Sequence, residues 1–145
     1  KPLTFSYKVR FPGYAQRTGK RLFLQPAFFQ HGMGPMFATN GRKYPIYFHY
    51  AWSENDQVDI ELPKGYALDN ADAPEPFGAA GISQYKPSLA ASTDGSLLVY
   101  KRSFFFGDGG SVLYPAEGYP QLKNYFDTLH KQDNHSIALK QTATN

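Results

Sequence analysis

Alternation of apolar and polar residues with a period of two constrains this chain more than any other feature. Leu3, Phe5, Tyr7, Val9 and Phe11 alternate strictly with Thr4, Ser6, Lys8 and Arg10. Successive side chains of an extended chain point to opposite faces, so residues 3–11 predict a half-buried strand ended by Pro12-Gly13. The period returns in Ile46, Phe48, Tyr50 and Trp52, with Tyr47, His49 and Ala51 on the other face. It returns again in Val58, Ile60 and Leu62, against Gln57, Asp59 and Glu61.

Turn chemistry separates these runs. The chain carries 13 Gly and 11 Pro. Asn55-Asp56 offers a turn between the third and fourth strands, and Pro63-Lys64-Gly65 stops the fourth. Residues 82–92 and 97–106 read as two strands joined by Thr93-Asp94-Gly95-Ser96, where Asp-Gly supports a hairpin. Residues 21–29 read as an edge or bulged strand because Pro26 interrupts them, and 66–68 as a short extended piece. Residues 30–45 and 69–81 read as irregular. Composition agrees with a β protein: one Trp, 11 Tyr and 12 Phe favour pleated, half-buried surfaces, and charged residues are 19% against roughly 25% in an average domain.

One segment departs from the period of two. Leu122, Tyr125, Phe126 and Leu129 fall at i, i+3, i+4 and i+7 after Pro120, which suits a first helical turn. The helix should end near 132–134, and Ile137 and Leu139 begin a closing strand. About seven strands with one short C-terminal helix predict a mainly β fold, an antiparallel β-sandwich, a class that includes immunoglobulin-like arrangements. The 145 residues fit a single domain, 1–145. Because the chain begins at Lys1, it reads as a piece excised from the C-terminal end of a larger protein.

Charge and composition narrow the function classes. The net charge of +3 is scattered, which gives no expectation of a nucleic-acid partner. No apolar run reaches the roughly 18 residues of a membrane span. There is no Cys, so no disulfide, thiolate site or Cys nucleophile lies within these residues. Ser83-Gln84-Tyr85-Lys86 has the Ser-x-x-Lys spacing of penicillin-recognising enzymes. That chemistry needs a helix, whereas a strand sends Ser83 and Lys86 to opposite faces. His31-Gly32-Met33-Gly34 is a glycine-bearing turn without a Gly-x-Ser-x-Gly elbow to serve. His31, His49, His130 and His135 lack metal-ligand spacing. The acidic groups Glu54, Asp56, Asp59, Glu61 and Asp69, Asp72, Glu75 lack the spacing of a calcium loop. Asn134-His135-Ser136 has the N-glycosylation pattern. No catalytic residue, metal ligand or cofactor is therefore expected.

The surface candidates are aromatic. Phe104-Phe105-Phe106 must present rings to both faces of a strand, and Tyr47 and His49 oppose the Trp52 face. We take Tyr47, His49, Phe104 and Phe106 as candidate contacts for a partner domain. A carbohydrate-binding module using exposed rings is the alternative.

Three stretches together resemble a known module. They are Arg42-Lys43-Tyr44-Pro45 before the Trp52 strand, Val58–Tyr66 with its Leu-Pro-x-Gly-aromatic end, and Tyr119–Phe126 followed by Gln132-Asp133 and Ser136–Lys140. In this order, over roughly residues 20–140, they are similar to the C-terminal β domain of bacterial exported transglutaminase-like proteins, a domain of unknown function that follows the transglutaminase-like core. The resemblance implies a non-catalytic accessory domain that packs against, or positions substrate for, a neighbouring domain of the same polypeptide. Peptide or cell-wall glycan is a further partner it implies, with a periplasmic, envelope or secreted location. A transglutaminase-like centre needs a Cys, so the resemblance places that centre outside this chain and carries no catalytic residue onto it.

Overall fold

The computed structural model describes residues 1–143. Ten strands and one α-helix follow one another as β1 (Gln16–Thr18), β2 (Arg21–Leu24), β3 (Ile46–Tyr47), β4 (Trp52–Glu61), β5 (Tyr66–Asn70), β6 (Phe77–Ala79), β7 (Ser83–Ala91), β8 (Leu97–Phe106), β9 (Leu113–Tyr114), α1 (Tyr119–Asp133) and β10 (Ile137–Gln141). The fold is mainly β, and every pairing is antiparallel. One sheet has the order β1-β2-β10-β5, a second β4-β8-β7-β6, and β3 and β9 form a two-stranded ribbon.

Register explains which residues share a face. In the second sheet Trp52, Phe106 and Ser83 lie side by side, as do Glu54, Phe104 and Tyr85, then Asp56, Arg102 and Pro87, then Val58, Tyr100 and Leu89, then Ile60, Leu98 and Ala91. This row is the inner face. One half of it is covered by α1, whose Leu122, Phe126 and Leu129 join Phe104, Phe106, Tyr85, Ile46 and Phe37 in the main core cluster. Leu98 and Tyr100, at the other half, are 1% and 0% exposed and stand outside that cluster. The remaining apolar face able to cover them is that of the first sheet, where Ile137 opposes Leu24 and Leu139 opposes both Leu22 and Leu68. Helix and first sheet thus share one long sheet as their floor.

The helix forms where its period places it. Pro120 occupies its first turn, Lys123 and Asp127 pair at i,i+4 over 2.6 Å, and His130 and Lys131 lie in the last turn, where the helix dipole favours positive charge. Each large apolar side chain it buries contributes about 1.5–3 kcal/mol before conformational entropy is charged against it. The hairpin at Asp94-Gly95 also forms as expected. Gly95 takes φ +71°, and Asp94 Oδ1 accepts from Ser92 Oγ, Ser96 N and Ser96 Oγ.

Five local expectations are corrected. Residues 3–11 make no ladder: Leu3, Phe5, Tyr7, Val9 and Phe11 are 81%, 78%, 72%, 57% and 58% exposed. Their period is right for a strand, but no sheet edge of this chain receives them. The second strand stops at Leu24 instead of Phe29, because Pro26 can give no ladder hydrogen bond and Phe28–Gln30 turn as a 3₁₀ helix. Asn55-Asp56 does not turn. Both residues lie inside β4, where Asn55 Oδ1 accepts from Ser103 Oγ and Asp56 from Gln30 Nε2. The strand expected over 46–52 is split instead, with β3 ending at Tyr47 and β4 starting at Trp52. Within the stretch expected to be irregular, β5 runs on to Asn70 and Phe77–Ala79 adds β6. Pro87 sits in β7 beyond the end of β6, where no neighbour asks for its missing N–H.

Candidate functional site

The ribbon β3–β9 presents one face inward and one outward. Ile46 opposes Tyr114, and Ile46 is 5% exposed in the core. Tyr47 opposes Leu113 on the other face, at 58% and 66% exposed. His49 lies beside Tyr47 with ring centroids 5.1 Å apart and planes at 75°. Tyr44 and Tyr50 flank the ribbon at 76% and 73% exposed. Beneath it, Phe48 contacts Trp52, Phe106 and Phe126 with centroids 5.5, 5.1 and 5.9 Å away. The exposed rings thus stand on a backbone held by a packed layer. The edge-to-face arrangement of Tyr47 and His49 is not the coplanar platform that sugar stacking uses.

Two of the four candidate contacts do not reach the surface. Phe104 and Phe106 are 1% and 2% exposed. Alternation sends both inward under α1, and Phe105 between them is half-buried on the opposite face. Both rings lie near Trp52, and Phe106 also stands 4.9 Å from Phe126. The helix therefore covers Phe104 and Phe106, and Phe105 faces the other side of the sheet.

The strongest electrostatic feature was not among the sequence candidates. Arg102, 2% exposed, lies at the seam between the helix-covered and sheet-covered halves of the inner face. Its Nε and Nη2 donate to the two carboxylate oxygens of Asp133 at 2.7 and 2.9 Å, and Nη1 donates to Glu54 Oε2 at 2.6 Å. Asp56 Oδ2 is 3.6 Å from Nη1. The guanidinium also lies over the rings of Tyr85 and Phe104, 5.6 and 5.5 Å from their centroids. Burial alone would pull the Arg102 pKa down, but the hydrogen bonds and charge of Asp133 and Glu54 outweigh it and hold it above its ordinary value. Burial pushes the Asp133 carboxyl up, against the opposing pull of the Arg102 fork. Every carboxylate near Arg102 already has a donor: Glu54 accepts from Trp52 Nε1 and Asp56 from Gln30 Nε2. The cluster ties the end of α1 to β4 and β8. An arginine in the middle of an aromatic strand, with its acids on one neighbouring strand and one helix, carries no local sequence signal.

A cavity of about 490 Å³ opens beside the start of α1, lined by Ile82, Ser83, Phe106, Tyr114, Leu122 and Tyr125 among others. The Ser83 and Tyr125 hydroxyls have no hydrogen-bond partner there. No imidazole lines it, and its one acidic residue, Glu117, is not hydrogen-bonded to Ser83. Ser83 lies on the buried face and Lys86 is exposed on the other, as the strand reading of Ser-x-x-Lys requires. Among the described residues no group of three or more His, Cys, Asp or Glu could hold a metal ion. His31 bonds Gln25 and His135 bonds the Asp72 carbonyl. Among the described residues no helix is long and apolar enough to cross a membrane.

No curated protein and no solved structure matches the chain. A family model does match over residues 20–139, from the lysine before β2 to the middle of β10, and so takes in the ribbon, the arginine seam and the helix. By this match the chain belongs to the DUF3858 family, a Domain of Unknown Function.

Proposed function

We propose that this domain is a non-catalytic accessory module of an exported bacterial protein with a transglutaminase-like or peptidase-like core. It packs on the neighbouring domain, or holds substrate against it, through the outer face of the β3–β9 ribbon. One observation carries this reading: Tyr47 and Leu113 stand opposite each other, largely exposed, on a ribbon whose reverse face is buried. Paired exposed apolar side chains on a pinned backbone lose little entropy when covered, and this favours a docking role. The link to a transglutaminase-like core, and with it a periplasmic or envelope location, rests on the ordered motifs of the sequence.

The test is titration of the domain with the transglutaminase-like domain of the same polypeptide. Replacing Tyr47 and Leu113 together by Ser should weaken association at least about tenfold. Thermal unfolding of the domain should not change, because both side chains face outward. Undiminished association, or none with the unaltered domain, refutes the reading.

A further inference from the structure

The chain carries a strand without a sheet and a sheet edge without a strand. Residues 3–11 keep strict alternation yet remain exposed and unpaired, held at their end by the Phe11 ring 5.6 Å from Phe28. They lie outside the family match, which begins at Lys20. β4 is ten residues long, the longest edge strand of the fold, and pairs only with β8 among the described residues. Its inner-face residues Val58 and Ile60 stay half-buried, although the residues opposite them in β8, Tyr100 and Leu98, are buried. The row lacks cover on its open side.

We propose that residues 5–10 of one copy of this chain add as an antiparallel strand to the β4 edge of a second copy, reciprocally. Chemistry selects the register. With Val9 opposite Val58, Tyr7 falls opposite Ile60 and Phe5 opposite Leu62, which extends the apolar inner row. The same register sets Lys8 opposite Asp59 on the outer face. Arg10 is then diagonal to Asp59, and Glu61 is diagonal to Lys8, within reach of long side chains. Both faces match at once, and a slip of one residue would put Lys8 and Arg10 on the apolar side. A long unpaired edge is a template for another strand. Each copy holds one donor and one acceptor, unjoined within itself, so exchange about a two-fold axis satisfies both and closes the assembly.

The absence of cysteine makes the test direct. Val9→Cys and Val58→Cys are introduced together and the chain is oxidised at micromolar concentration. A covalent dimer on a non-reducing gel supports the proposal. A covalent monomer, in which the segment folds onto its own β4, overturns it, and so does the absence of any cross-link. In sedimentation runs Lys8→Glu with Arg10→Glu should weaken the dimer roughly tenfold, and adding Asp59→Lys with Glu61→Lys should restore it. Dimerisation indifferent to both sets overturns the register.

Discussion

Residues 3–11 and the C-terminal half of β4 carry the same pattern and meet opposite fates. Residues 3–11 and 57–62 each alternate apolar with polar, and each run is ended by turn-forming residues, Pro12-Gly13 and Pro63-Lys64-Gly65. β4 pairs along its whole length with β8, and its inner face is tied down by Trp52 on Phe106 and by Glu54 and Asp56 around Arg102. Residues 3–11 have no ladder and, except for Phe11 on Phe28, nothing that holds them. Alternation states which face a strand would bury; a neighbouring edge and a cover decide whether a strand exists.

The largest effect expected comes from loosening what holds β4. Arg102→Met leaves Asp133 buried without its donor fork and should cost about 3–5 kcal/mol in urea unfolding. Hydrogen exchange in β4 should then approach that of residues 3–11. Arg102→Met combined with Asp133→Leu should recover much of the loss, because a buried ion pair replaced as a unit costs little. A single variant as stable as the parent would show that the seam does not hold β4.

A smaller effect should appear in alkaline solution. Burial pushes the Tyr100 hydroxyl up from 10.0 to about 12, and Tyr85 beside it is also raised, again chiefly by burial. The folded state therefore keeps protons that the unfolded chain releases. Stability is fully present below pH 10 and falls, by about 2 kcal/mol from Tyr100 alone, as pH rises from 10 to about 12. Tyrosinate absorbance should show Tyr85 and Tyr100 keeping their protons above pH 10 while the chain stays folded. Ionisation of both near pH 10 without loss of fold would contradict this.

The smallest effect sharpens the comparison most. Ile60→Ala should cost about 1–2 kcal/mol, a part of the full core value because Ile60 is half-buried. Tyr7→Ala, measured where the chain is monomeric, should stay within about 0.5 kcal/mol. Equal losses from the two would mean that residues 3–11 are packed within the single chain.

The helix was legible because four apolar residues at a 3.6 period admit no strand reading. The Asp94-Gly95 hairpin was legible because positive φ demands that chemistry. Tyr47 and His49 were correctly read as outward. Phe104 and Phe106, taken as candidate contacts, are buried, because outward and inward are interchangeable in such a run until something covers one side. Arg102 was illegible for a related reason: its partners Glu54 and Asp133 are 48 and 31 residues away in the chain.

By itself the sequence determined the mainly β class, the single helix and its buried stripe, and the absence of thiol chemistry. These follow from period, turn residues and composition, all local properties. Tertiary structure alone decided that the helix would cover the Phe104–Phe106 end of the long sheet, that an arginine would sit at the seam, and that the more strictly alternating of two segments would stay unpaired. Those outcomes depend on which surfaces meet, and free energy of burial is a property of pairs of surfaces, not of either alone.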